Sequence, residues 1–253
     1  MSKHKQIDYS DPKFKPATLV QLLQWRAFTD PDKVAYTYLK DGDSKEINYT
    51  YGELDKLARA VAATLQKKGL AGARALLLYP PGLEYIIGFF GCLYAGIIAV
   101  PAYPPDPNRL NRTLPRLQGI IRDAQATMAL TNNTILHMIR ILKLGNKFTE
   151  SLDKVPFLRK FRTTMDFFST KSTGIAEANE LGNLQWISTD DILGGQADNW
   201  DDPGISEDTL AFLQYTSGST GIPKGVMLSH QNLLSNSTQI YEGFGYSKNS
   251  HGV

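Results

Sequence analysis

The chain has 253 residues, 42% of them apolar and 21% charged, which supplies enough material for a sizeable core and excludes a disordered polyelectrolyte. A formal net charge of +2 argues against a nucleic-acid partner, which needs a concentrated basic face, while small anionic substrates stay open. The single cysteine, Cys92, stands in an apolar run, so no internal disulfide can form and a buried thiol in a reducing compartment is expected.

The first 16 residues, "MSKHKQIDYSDPKFKP", lack the apolar segment of a secretory leader and are read as an N-terminal tail on a cytoplasmic protein. In "ATLVQLLQWRAFTDPDK" the spacing of Leu19, Leu22, Leu23 and Trp25 predicts a helix that stops in the turn-forming "TDPD". "VAYTYLK" and "INYTY" flank "DGDS", whose Asp-Gly pair predicts a hairpin. A second helix follows, with Thr50 and Glu53 as a capping box, Leu54, Leu57, Ala58, Val61 and Leu65 on its apolar face, and Gly69 as its stop.

The segment "GLEYIIGFFGCLYAGIIAVPAY" approaches the roughly 20 apolar residues of a membrane span. Its context excludes that role, because it follows the strand-like "RALLLYPP" and breaks at Gly96 into "IIAVPAY", giving strand, helix, strand. Gly88, Gly91 and Gly96 are expected to let this helix lie close against a sheet, and no transmembrane segment is expected. In "PAYPPDPNRLNRT" the prolines Pro101, Pro104, Pro105 and Pro107 stand too close together for helix or central strand, which predicts an extended loop.

Helix "LPRLQGIIRDAQA", strand "TMALT" and strands "LQWIST" and "LAFLQYT" continue the alternation, so the fold class is α/β with a largely parallel sheet. Between them, about 137–172, Arg140, Lys143, Lys147, Arg159, Lys160 and Arg162 mix with Ile139, Leu142, Phe157, Phe161, Phe167 and Phe168. Two readings of this basic helical region stay open: a locally packed helical pair with a solvated face, or a surface for a membrane or an acidic carrier protein.

The most informative stretch is "LQYTSGSTGIPKGVMLSH", in which "SGSTGIPK" is the turn between strands "LAFLQYT" and "GVMLS". Gly218 and Gly221 permit close approach of backbone amides to an anion. Thr216, Ser217, Ser219 and Thr220 add hydroxyl donors, and Lys224 adds a mobile positive charge. Polyphosphate is the natural guest: a lysine about 4 Å from a phosphate charge gains roughly 4 kcal/mol at an effective dielectric near 20, before desolvation is subtracted. The stretch is not a Walker A loop, because Gly221 is followed by Ile222, Pro223, Lys224 and Gly225 instead of a lysine and a hydroxyl residue.

"YTSGSTGIPKGV" closely resembles the phosphate-binding signature of the adenylate-forming enzymes, the AMP-binding superfamily of acyl-CoA synthetases, luciferases and peptide-synthetase adenylation domains. Together with "LLLYPPGLEYIIGFFGCLYAGIIAVPAYPPDPNRL" and "IIRDAQATMALT", it resembles the fatty acyl-AMP ligases from about Ala17 onward, most weakly across the basic region. The resemblance implies the N-terminal part of the acyl-adenylate-forming fold, with largely parallel sheets flanked by helices. It also implies ATP-dependent activation of a fatty acid to acyl-AMP, release of pyrophosphate, Mg²⁺ as helper and transfer to an acyl carrier protein. Thr216, Ser217, Gly218, Ser219, Thr220, Gly221 and Lys224 would hold the β- and γ-phosphates. Two alternatives are a fatty acyl-CoA synthetase and a truncated non-catalytic nucleotide-binding module.

His230 sits where strand "GVMLS" gives way to helix "QNLLSN", which predicts a helix-start role beside Ser229, while His251 lies in a polar tail. With His4 and His137 they make no ligand spacing, and no zinc or other protein metal site is expected. By the resemblance, the fatty-acid pocket, the adenine and ribose contacts and the catalytic lysine follow the region matching Val253. Residues 17–253 therefore read as an incomplete N-terminal AMP-binding domain with no catalytic residue of its own.

Overall fold

The computed structural model describes residues 7–68, 72–105, 109–144, 180–192, 194–216, 223–247 and 250. Helix α1 (Leu19–Thr29) starts where Thr18, still extended, accepts the Gln21 N–H with its side chain, and it buries Val20 and Leu23. Upstream, the Tyr9 hydroxyl donates to Gln24 Oε1 at 2.7 Å, and Phe14 packs edge-on against Tyr9 and tilted against Trp25. Aromatic contacts therefore carry the chain onto α1 well before residue 17.

Strands β1 (Val34–Leu39) and β2 (Glu46–Thr50) form the expected antiparallel hairpin. Its turn is longer than an Asp-Gly pair alone: the Asp41 carboxylate accepts the N–H groups of Lys45, Asp43 and Ser44, which hold its pKa at about 2, and Gly42 takes the left-handed conformation at φ 78°. Helix α2 (Tyr51–Gln66) opens as expected with the capping box of Thr50 and Glu53, so Tyr51, which the pattern also allows as the end of the second strand, belongs to the helix. Gly69, the expected stop, lies outside the described residues; α2 ends at Gln66 with Lys67 as its cap.

The main sheet contains β3 (Arg74–Leu78), β4 (Ile98–Pro101), β5 (Met128–Thr131), β6 (Gln185–Ser188), β7 (Leu210–Thr216) and β8 (Lys224–Ser229) in the order β6-β5-β3-β4-β7-β8. All neighbours run parallel except β7 and β8. Near-continuous apolar runs suit β3, β4 and β5 because both faces of the sheet are covered. Ala75, Leu77, Ala99 and Leu130 face α1, α2 and α3 (Leu83–Tyr94), while Leu76, Leu78, Val100 and Ala129 face α4 (Leu110–Ala124). Each fully buried leucine contributes about 1.5–3 kcal/mol relative to exposure. Helices α5 (Asn133–Leu144) and α6 (His230–Phe244) complete the set used below.

Three expectations require correction. Gly91 lets α3 approach α2 rather than the sheet: a Cβ built there would run into the Val61 side chain. Gly88 does face the sheet as expected, leaving room for the ring of Tyr79 just after β3, while Gly96 stands beyond the helix in the turn, at φ 68°. Pro101 is the last residue of β4, a central strand, opposite Leu77 of β3. The strand tolerates it because the ladder continues past it, with Ala102 N–H donating to the Leu77 carbonyl at 3.2 Å. Leu110–Thr113, expected within the extended loop, form the first turn of α4.

Cys92 is fully buried, and burial pushes its thiol pKa up, so it packs as a small apolar group. The basic region begins on α5, and the rest of it, from residue 145 on, lies outside the described residues, so the helical pair expected there does too. Among the described residues no helix is long and apolar enough to cross a membrane.

Candidate functional site

Because β3, β4, β5, β6 and β7 run parallel, their carboxyl ends share one edge of the sheet, and antiparallel β8 begins there. In open α/β sheets this edge is where ligands bind. β7 ends on Thr216 and β8 starts on Lys224, and the two are directly paired across the ladder. Opposed side chains in such a pair have Cβ atoms about 4.5–5.5 Å apart, so an exposed hydroxyl and an exposed ammonium stand side by side at the mouth of the turn. The sequence reading put Lys224 in the turn; its backbone belongs to the strand. The first and last members of the predicted set are thus brought together, while Ser217, Gly218, Ser219, Thr220 and Gly221 lie outside the described residues.

The mouth is held from the side by residues that sequence reasoning missed. Leu213 and Tyr215 face α4, and the Tyr215 hydroxyl donates to Asp123 Oδ2 at 2.5 Å. Partial burial and the bond to Asp123 both raise the Tyr215 pKa, so the phenol stays protonated and the carboxylate accepts. To reach Asp123 the ring crosses Gly225: a Cβ built on Gly225 would lie 2.8 Å from Tyr215 Cζ. One helical turn away from Asp123, Gly119 faces Pro223, with a built Cβ 3.5 Å from the proline Cδ. The signal was present as spacing, since 119 and 123 share a helix face and 213 and 215 share a strand face.

His230 takes the predicted place at the start of α6, whose N-cap Ser229 exchanges hydrogen bonds with Asn232. It does more than start a helix. Its side chain is buried, and Nδ1 accepts the Leu19 N–H at 3.2 Å, joining α1 and α6. Burial pushes its pKa down to about 4. Among the described residues no three His, Cys, Asp or Glu side chains come together as a metal cage.

A model of the AMP-binding enzyme family matches residues 23–251. The chain belongs to that family. This AMP-binding enzyme is 42% identical over 241 residues to a medium-chain-fatty-acid–[acyl-carrier-protein] ligase of Moorena producens, covering 95% of this chain and 35% of that protein. It is 33% identical over 229 residues to a long-chain-fatty-acid–AMP ligase of Mycolicibacterium smegmatis, covering 88% of this chain and 30% of that protein. Among solved structures, a fatty acyl-adenylate ligase from L. pneumophila, in complex with acyl adenylate and pyrophosphate, superimposes with a TM-score of 0.69 at 33% identity. That match covers 93% of this chain and 34% of the other. The chain therefore spans about a third of the length of these relatives, and the α/β architecture matches the N-terminal domain of adenylate-forming enzymes.

Proposed function

We propose that the protein activates a fatty acid with ATP, forming acyl-AMP and pyrophosphate, and passes the acyl group to the thiol of an acyl carrier protein. The observation that carries this reading is the pairing of Thr216 with Lys224 at the two ends of "SGSTGIP". The relatives named as fatty-acid ligases support the choice of substrate and carrier.

In the reaction a carboxylate oxygen of the fatty acid bonds to the α-phosphorus, and the bond from that phosphorus to the oxygen bridging to the β-phosphate breaks. No protein nucleophile is needed. Lys224 and the hydroxyl of Thr216, with Ser217, Gly218, Ser219, Thr220 and Gly221, would hold the β- and γ-phosphates and stabilise the charge that grows on departing pyrophosphate. A hydroxyl beside an ammonium fits an anionic chain of phosphates. Mg²⁺, when bound with ATP, would supply positive charge that offsets the charge on the phosphates beside Lys224 and Thr216.

The test uses the full-length protein. Fatty-acid-dependent exchange of labelled pyrophosphate into ATP is expected, followed by acyl transfer when phosphopantetheinylated carrier protein is added. Absence of exchange would remove the reading. Rapid formation of acyl-CoA on adding CoA would make the protein a fatty acyl-CoA synthetase, and ATP binding without exchange would favour a non-catalytic nucleotide-binding module.

A further inference from the structure

We propose that Tyr215 is a positioning residue, which uses Asp123 on α4 as an anchor to hold Thr216 and Lys224 in register across the mouth of the turn. As a statement about ATP it rests on the function proposed above; as a statement about the strand ends it stands on geometry alone.

Three contacts converge on the last residues of β7 and the first of β8. Tyr215 lies next to Thr216 and is paired with Gly225, the neighbour of Lys224. Its ring occupies the space a side chain at position 225 would fill, so one aromatic plate covers both strand ends. Its hydroxyl is tied to Asp123, and Gly119 receives Pro223, so the same face of α4 touches both strands of the hairpin. α4 is in turn fixed to the sheet by the buried Leu117, Ile120, Ile121 and Ala124.

The hairpin needs such a support. Among the described residues β8 pairs only with β7, and Val226 and Met227 on it are 48% and 67% exposed. Packing on β8 itself therefore does little to fix where Lys224 stands. A bond from a phenol to a carboxylate is a charge-assisted one, stronger and more directional than a neutral pair. It can hold the end of an otherwise weakly packed strand, and the cross-strand pair transmits the constraint from Tyr215 to Gly225.

The experiment compares Tyr215→Phe, Asp123→Ala, their double variant and Asp123→Asn in the full-length protein. Tyr215→Phe keeps the ring over Gly225 and loses only the hydroxyl; Asp123→Asn keeps an acceptor oxygen. Hydrogen exchange comes first, because it requires no catalytic activity. Faster exchange at the amides of Tyr215, Thr216, Gly225 and Val226 in Tyr215→Phe and Asp123→Ala, with α4 and β3 unchanged, is the expected result, and unchanged exchange at those amides overturns the proposal. Kinetics then test the link to ATP. The KM for ATP should rise about fivefold in each single variant, no further in the double variant, and return toward the wild-type value in Asp123→Asn, with the KM for fatty acid unmoved.

Effects that multiply in the double variant, or a fall in kcat and melting temperature with no change in the KM for ATP, would also overturn it. If the wild-type protein shows no fatty-acid-dependent exchange of pyrophosphate, the proposed function fails, and the exchange pattern of the amides still decides whether Tyr215 sets the register.

Discussion

His230 on α6 accepts the main-chain N–H of Leu19 on α1, Nδ1 to N 3.2 Å, across 211 positions of sequence. The imidazole must be neutral for Nδ1 to accept, and burial, which pushes its pKa from 6.5 down to about 4, favours that form. In the unfolded chain the group takes up a proton near pH 6.5, so the unfolded state binds more protons between 6.5 and 4. The stability that His230 contributes is therefore complete above about pH 6.5 and declines as pH falls toward 4. Urea midpoints measured from pH 7.5 to 4.5 should fall through this window, and His230→Asn, which keeps an acceptor and does not titrate, should flatten the slope.

Lys224→Ala should lower the rate of acyl-adenylate formation by roughly 10²–10³-fold, the usual effect of removing one positioned donor from a developing negative charge. Lys224→Arg should recover part of it, since the charge returns with a different shape. Initial rates of pyrophosphate release with fatty acid present would measure both. Because Lys224 is exposed, neither change should move the melting temperature by more than a degree or two.

The sequence marks a candidate site through its residue types, because hydroxyls, glycines and a lysine between two apolar runs are a local pattern, and the strand pairing brings its two end members, Thr216 and Lys224, together. Capping at Thr50 and Ser229 was legible for the same reason: the cap and its partner are three residues apart. What stayed hidden was the partnership of local features with distant ones. Asp123 and Tyr215 are 92 positions apart, and nothing near either names the other. His230 showed its place at a helix start but not its bond to Leu19. The glycines of α3 were recognised as contact points, but whether they face a sheet or another helix depends on how α2 crosses them. Pro101 shows a rule applied one residue too far, since a proline that ends a central strand disturbs the ladder much less than one inside it.

Tyr94→Phe should destabilise the fold by about 1–3 kcal/mol, because the Asp55 carboxylate, only 4% exposed, loses the hydroxyl that donates to Oδ1 at 2.7 Å. Arg59, one turn along α2, would still pair with Oδ2. Denaturant titration gives the loss directly. A double variant with Asp55→Leu should cost less than Tyr94→Phe and Asp55→Leu added together, since removing both groups leaves no buried charge short of a donor.

Gly91→Ala adds a single methyl where the Val61 side chain already sits, forcing α3 away from α2. A loss of about 1–3 kcal/mol is expected from such overpacking. Val61→Ala in the same molecule should restore part of it by vacating the space. Urea midpoints of the two single variants and the pair would show whether the close approach of the helices is the cause.

The strand order has a consequence for how the molecule is made. β4 is synthesised long before β7, yet the two lie side by side, with Ala99 opposite Phe212. As the chain emerges from the ribosome, β3, β4, β5 and β6 can assemble and settle their helices while the far edge of β4 waits unpaired. The slot closes only when Leu210–Thr216 has been translated, and β8 can be added only after that. Among the described strands the β7–β8 hairpin is in this sense the pair added after the others, and a ribosome stalled before residue 210 would hold a partly built sheet with a raw, adhesive β-edge.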